Sequence, residues 1–563
     1  MFDHIFSFVD ILAQHGISHA VISPGSRNAP LSLAFSRHSS ITTSTIADER
    51  TAGFTALGMA EQLDKPVILV CTSGSAAYNY APAVAEAYFR RIPLIIMTAD
   101  RPPEWIDQLD GQTIRQKDIF GKHVKASFTL PDDFDHSDKV WHAQRIINQA
   151  ALISEGEVKG PVHINCPFRE PFYPAKDWKP KNLPIQVIDS VENTGNLSDE
   201  YLTELKGRFV TAEQVVILIG QNQYDEELNK VLSILSRKKV VIIGDVVSNI
   251  SVKDSIKHQD LFLGALSENG KKVLKPDLLI TFGLSIISKN LKLFLRSFKA
   301  NEHWHIDRSE SIVDTFQSLN LHIKASPLLF LKWLASIEKN VNTKYLESWK
   351  EQDDITNQVL SEFRKQNQLN ELVATGIILE KLNDCDVYLA NSMAIRWANF
   401  YNTLHQNVRV FCNRGTSGID GCTSTALGGA SISGKPTVLI TGDVAFFYDR
   451  NAFWQNHIPE NLKIVLFNNS GGGIFRMIKG PRDQEELEDV FESTHNLTAK
   501  YLADEYGLDY RSINSVNALK EEFTEWVNST KSAGIMEIFT DKEDNRKSLE
   551  ELKSTVQSTL LTQ

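Results

Sequence analysis

No CxxC pair and no metal-type spacing occurs among the five cysteines (Cys71, Cys166, Cys385, Cys412 and Cys422), which speaks against a cysteine-based metal site. Reduced thiols buried as small hydrophobes are expected instead. No apolar run reaches the roughly 18 residues that span a bilayer. The opening MFDHIFSFVDIL carries an early acid and no basic stretch ahead of its apolar residues. A cytoplasmic protein with no membrane partner is therefore expected. Positive charge is in deficit, 59 Lys and Arg against 70 Asp and Glu for a net charge of −11, which argues against nucleic acid as a partner. Any anionic ligand must then meet a concentrated cluster of Arg and Lys. The middle of the chain holds no GxGxxG, so nothing there reads as a dinucleotide fingerprint.

What the chain does contain is a repeat. TALGMAEQLDKPVILVCTSGSAAYN, from Thr55, lies over TALGGASISGKPTVLITGDVAFFYD, from Thr425, at a constant offset of 370 residues and without a gap. The copies differ in their polar residues. Asp48-Glu49 in the first is matched by Gly418-Ile419 in the second, and Thr72-Ser73 by Gly442-Asp443. Two related lobes that keep different polar groups suggest one composite site built from both.

At 563 residues, 42% hydrophobic and 23% charged, the chain is a soluble globular type too long for one core, and about three domains are expected. In the first lobe the apolar run Val67–Cys71 reads as a buried parallel strand, Ser75–Arg90 as a helix and 93–97 as the next strand. The second lobe repeats this with a strand over Thr437–Thr441, a helix after Asp443 and a strand over 463–467. Between the lobes, VVILIG, KVVIIGD and PDLLITFG each end an apolar run in a glycine turn. The fold class is α/β: three doubly wound domains with mainly parallel sheets, the first and third homologous, at 1–180, 186–340 and 355–563. Proline and lysine mark a linker from Tyr173 to Pro184, and a charged, helix-prone stretch from Lys339 to Gln358 leads into the last domain.

The sharpest local signal is Gly442-Asp443 followed two dozen residues later by Asn468-Asn469-Ser470-Gly471. Two consecutive strands of one βαβ unit end there, so both turns emerge on the same sheet edge. Asp443, Asn469 and a backbone carbonyl near Gly471 make a partial shell of hard oxygens, which suits Mg²⁺ completed by water and phosphate oxygens. The helix after Asp443 and the glycines at 471–473 are expected to offer N–H groups to the same diphosphate. A GD turn and an NN turn that merely cap strands are the alternative.

These residues, with a glutamate-bearing duplicate lobe, resemble the thiamine diphosphate enzymes of the 2-oxo acid decarboxylase type. Val444 stands where that family's GDG signature has its second glycine. SPGSRNAPL at 23–31, TADRPPE at 98–104, IRQ at 114–116, NSMAIRW at 391–397 and NRGTSGIDG at 413–421 are similar, within that family, to the carboligases of menaquinone biosynthesis. The resemblance implies decarboxylation of 2-oxoglutarate and 1,4-addition of the succinyl-semialdehyde carbanion to isochorismate, with thiamine diphosphate and Mg²⁺ (or Mn²⁺) as cofactors.

It further implies that Glu49 shares a proton with N1′ of the cofactor's aminopyrimidine, although Asp48-Glu49 would also suit the start of a helix. It gives Ile419 the role of holding the cofactor bent. Arg27, Arg101, Arg396 and Arg414 become holders of substrate carboxylates, Ser26, Ser392 and Gln112 neighbouring polar contacts, and Lys289 a fifth basic contact. Ile474, Phe475 and Ile478 become an apolar wall. Gly111 before Gln112 and Asn290 after Lys289 depart from the family's residues. With the glutamate and the metal residues on separate lobes, a homo-oligomer that shares sites between subunits is expected. The rival readings are another thiamine diphosphate 2-oxo acid decarboxylase or acetohydroxyacid synthase-like carboligase, against which four motif arginines speak, and a catalytically dead cofactor binder, against which Glu49, Asp443 and Asn469 together speak.

Overall fold

The computed structural model describes residues 1–191, 197–339, 342–529 and 531–562. Three parallel sheets follow one another along the chain. The first contains β1 (His19–Ile22), β2 (Thr42–Thr45), β3 (Val67–Cys71), β4 (Leu94–Asp100), β5 (Ala126–Thr129) and β6 (Val162–Pro167), in the order β2-β1-β3-β4-β6-β5. The middle sheet contains β7 (Val215–Ile219), β8 (Val241–Gly244), β9 (Leu278–Phe282), β10 (Glu302–Ile306) and β11 (Leu321–Ile323), in the order β11-β10-β9-β7-β8. The third contains β12 (Asp386–Leu389), β13 (Arg409–Phe411), β14 (Thr437–Gly442), β15 (Leu462–Asn468), β16 (Asp509–Ile513) and β17 (Gly534–Phe539), in the order β13-β12-β14-β15-β17-β16.

Strand for strand, the first and third orders are the same, so the sequence repeat extends to the whole topology. The apolar runs are near-continuous because both faces of each sheet are covered. In β3, Ile68 and Val70 enter one core while Val67, Leu69 and Cys71 enter the other. All five cysteines are buried and free. No helix among the described residues is long and apolar enough to cross a membrane.

The repeated motif brings the two lobes together. Helix Glu49–Leu63 packs on helix Cys422–Ile432, with Gly58 against the Thr425 carbonyl and Gly428 against the Thr55 carbonyl. A methyl group at either glycine would fall 2.0 Å from that oxygen, so the backbones meet with nothing between them.

Two expectations need correction. The single helix predicted over Ser75–Arg90 is two, Ser75–Asn79 and Ala81–Arg90, broken at Tyr80. Pro82 cannot donate to the carbonyl four residues back, and its ring crowds that turn. The helix expected within Lys339–Gln358 spans Thr343–Arg364; residues 340 and 341 of that stretch lie outside the described residues. The linker from Tyr173 to Pro184 carries no regular element, and Trp178 within it donates to Asp3 at 3.2 Å.

Candidate active site

In the third sheet the chain leaves β12 toward β13 on one side and β14 toward β15 on the other. Ligands bind at such a switch point, outside the carboxyl ends of the strands. A cavity of about 520 Å³ lies there. Ser392, Arg396, Arg414, Ile419, Asp443, Asn469, Gly471, Ile474, Phe475 and Ile478 all line it, so ten of the sequence-predicted residues converge.

Asp443, at the end of β14, is buried. Its Oδ1 accepts from the Val444 amide at 2.7 Å, and its Oδ2 accepts from the amides of Asn469 and Gly471, each at 3.0 Å. His495 Nε2 stands 3.5 Å from the same Oδ2. The Asn469 side chain donates through Nδ2 to Glu371 Oε1 at 2.6 Å, which leaves its Oδ1 buried without a partner. Gly471 runs so close to Glu492 that a Cβ would meet the Glu492 carbonyl at 2.9 Å. No group of three His, Cys, Asp or Glu side chains forms a metal cluster among the described residues. The donors here are one carboxylate, one amide oxygen without a partner and one backbone carbonyl, an oxygen set that fits a hard divalent cation sharing its shell with phosphate.

The N–H groups of the glycine turn are not free for a diphosphate as expected. Gly471 donates to Asp443, Gly472 to the Glu492 carbonyl at 2.6 Å and Gly473 back to the Gly471 carbonyl at 3.0 Å. The turn closes on itself, which holds the acceptors rigid and uses up the donors.

Arg396 and Arg414 stand on the cavity wall without carboxylate partners among the described residues. Arg396, in helix Met393–Tyr401, donates to the carbonyl of Ser392, whose backbone has a φ of +72°. Burial, and then the neighbouring Arg414, holds the Arg396 guanidinium below its ordinary pKa. Arg414 donates to Asn391 Oδ1 at 3.0 Å, and its Nε is buried and unpaired. Two guanidiniums on one cavity wall, each within reach of the other's charge, favour an anion between them.

A second cavity of about 480 Å³ shares Met393, Arg396, Ile474 and Ile478 with the first, and Lys289 lies on it. Beside it Asn290 is committed to structure: its amide and Nδ2 bond Asp260 at 2.8 and 2.7 Å.

The first-domain candidates form a separate group. Ser26 and Arg27 follow β1, Glu49 follows β2 and Arg101 follows β4, all at carboxyl ends of strands. The Gln112 backbone lies 3.4 Å from where a Cβ on Gly74, just after β3, would be. Arg27 is buried, donates to the Phe168 carbonyl at 2.9 Å and sits 4.6 Å from the centre of the Phe172 ring. Arg101 differs from the other three arginines, since Asp110 pairs with it at 3.1 Å. Glu49 is half-buried, with Asn79 Nδ2 3.4 Å from its carboxylate. None of this group lines the Asp443 cavity of the same chain.

Sequence reasoning missed Glu371, a buried acid on that cavity. It follows an N-capping Asn370 at the start of a helix, where an acid is explained by local dipole alone. Glu86 was missed too; only tertiary structure brings it against the loop that bears Arg414.

Family models match the chain in three blocks: thiamine pyrophosphate enzyme, N-terminal TPP binding domain, over residues 6–120; middle domain of thiamine pyrophosphate over 178–384; and thiamine pyrophosphate enzyme, C-terminal TPP binding domain, over 392–536. The 2-succinyl-5-enolpyruvyl-6-hydroxy-3-cyclohexene-1-carboxylate synthase of Cytophaga hutchinsonii is 43% identical over 560 residues, 99% of each chain. Proteins of the same name from Flavobacterium psychrophilum and Flavobacterium johnsoniae are 41% and 38% identical, each over 96% of both chains.

Proposed function

The chain belongs to the 2-succinyl-5-enolpyruvyl-6-hydroxy-3-cyclohexene-1-carboxylate synthase family of thiamine diphosphate enzymes, and from that premise we propose that it decarboxylates 2-oxoglutarate and adds the four-carbon unit 1,4 to isochorismate in menaquinone biosynthesis. The family's enzymes are transferases. The observation that carries the substrate reading is the pair Arg396 and Arg414, without carboxylate partners among the described residues, on the same cavity as Asp443 and Asn469.

When bound, thiamine diphosphate supplies the electron sink and the nucleophilic carbon. Asp443, Asn469 and the Gly471 carbonyl would hold Mg²⁺, with Mn²⁺ as the alternative ion. Ile419 and Ser392 would contact the cofactor. Glu49 would stand against N1′ of the aminopyrimidine as the carboxyl that shares a proton with it. Arg396 and Arg414 grip substrate carboxylates and stabilise the charge that develops on the acceptor. Arg27, Arg101, Ser26, Gln112 and Lys289 complete the polar contacts, while Ile474, Phe475 and Ile478 form an apolar wall.

Because Glu49 is not a wall of its own chain's cavity, the reading includes a homo-oligomer in which Glu49 of one chain completes the cavity of another. It also includes a cytoplasmic location and units at 1–180, 186–340 and 355–563. One reaction containing 2-oxoglutarate, isochorismate, Mg²⁺ and thiamine diphosphate, with the product identified by mass, tests the proposal. Faster carbon dioxide release from pyruvate than from 2-oxoglutarate would overturn the substrate assignment in favour of an acetohydroxyacid synthase-like carboligase.

A further inference from the structure

An asparagine side chain can present either its oxygen or its NH₂ to a ligand, because the two ends have the same shape. At Asn469 the choice is made by a residue 98 positions away. Glu371 Oε1 lies 2.6 Å from Asn469 Nδ2. That oxygen also accepts from Asn545 Nδ2, and its twin accepts from Trp397 Nε1, so the carboxyl faces Asn469 as an acceptor; the NH₂ turns toward it and the amide oxygen toward the cavity. That oxygen is the buried atom without a partner.

Glu371 is itself held on three sides. Trp397 Nε1 donates to its Oε2 at 2.7 Å, Asn545 Nδ2 donates to its Oε1 at 3.0 Å, and its own amide donates to Asn545 Oδ1 at 2.8 Å. Glu371, Trp397 and Asn545 are all buried, and they come from three separate helices. Removing this acceptor would let the amide turn over and aim two N–H donors at the place a cation needs an oxygen.

We propose that Glu371 is the positioning residue of the metal centre: it fixes the rotation of Asn469 so that the amide oxygen faces the divalent cation. The inference rests on the reading of Asp443 and Asn469 as metal ligands. It assigns no metal contact to Glu371 itself.

The test uses the full chain freed of metal, thiamine diphosphate at saturation and Mn²⁺ as probe, with bound and free ion separated by electron paramagnetic resonance. Glu371→Gln puts an NH₂ or a single shared oxygen where three donors converge, and is expected to weaken Mn²⁺ binding by about tenfold or more, the range seen when an outer partner of a metal ligand is lost. The exchanged pair Glu371→Gln with Asn469→Asp restores one donor and one acceptor, so it should bind Mn²⁺ more tightly than either single variant. Circular dichroism and thermal melting check that each variant is folded. A folded Glu371→Gln protein with wild-type Mn²⁺ affinity would overturn the proposal. Should that variant not fold, an exchanged pair that folds yet binds no better than Asn469→Asp alone would do the same. Wild-type binding by Asp443→Ala and Asn469→Ala would refute the ligand reading and the proposal with it, whereas weakened binding in those two beside wild-type binding in Glu371→Gln overturns the proposal alone.

Discussion

Glu86, buried in helix Ala81–Arg90 of the first domain, accepts from both the amide and the hydroxyl of Thr416 in the third, at 2.6 and 2.7 Å. Its other oxygen takes the Gly415 amide at 2.9 Å. Arg90, one turn on, donates to Asn413 Oδ1 at 3.2 Å and pairs with buried Glu61. Residues 413–416 carry Arg414, so the first domain of a chain fixes a wall of that chain's own cavity.

Glu86→Gln keeps one acceptor and loses the other. Chemical denaturation should show a loss of about 1–3 kcal/mol, the cost of leaving a buried donor unpaired. If Arg414 grips substrate, KM for 2-oxoglutarate should rise in the same variant more than kcat falls. An unchanged KM would mean that Glu86 serves stability alone.

In the proposed role Glu49 exchanges a proton with the cofactor, and Glu49→Gln tests that role. A drop in kcat of about a hundredfold or more is expected, the usual size of a positioned acid or base. Calorimetric affinity for thiamine diphosphate with Mg²⁺ should change far less, because Asp443 and Asn469 are untouched.

Subunit sharing has its own test. Glu49→Gln and Asp443→Ala chains, each inactive alone, are mixed, unfolded and refolded together. If Glu49 of one chain serves Asp443 of the other, random pairing in a dimer restores about a quarter of the sites. If each chain serves itself, no activity returns.

Asp449 gives a pH dependence. It is buried, takes the Ser424 amide and hydroxyl at 2.7 and 2.8 Å, and burial pushes its pKa from 3.8 to about 7. Between those values the folded protein holds a proton that the unfolded chain has released. By linkage the stability contributed by Asp449 is complete below about pH 4 and is lost as pH rises through 7. Asp449→Asn does not titrate; its oxygen keeps the Ser424 amide, and the Ser424 hydroxyl turns to accept from its NH₂. Its melting temperature should therefore gain on the wild type as pH goes from 4 to 8; a constant difference would show that Asp449 stays ionised in the fold.

Much of this was legible in the chain. The 370-residue offset fixed which strands correspond, and the ends of β14 and β15 announced themselves through Asp443 and Asn469 because polar turn residues after a buried run mark the carboxyl edge of a sheet. What stayed hidden depends on distance through space. Glu371 and Glu86 look like ordinary helix residues until they meet partners 98 and 330 positions away. Arg101 reads like the other motif arginines, and only the folded loop shows that Asp110 already pairs with it. The glycines at 471–473 signalled a tight turn but not that the turn would consume its own amides.

The bare crossing at Gly58 and Gly428 ties the fates of the two halves. Neither helix can acquire a side chain there without displacing the other's backbone, so inheritance must treat that point as a single unit. Glu49 and Ile419 occupy the matching place ahead of those glycines in the two repeats, one a carboxyl and the other an apolar side chain.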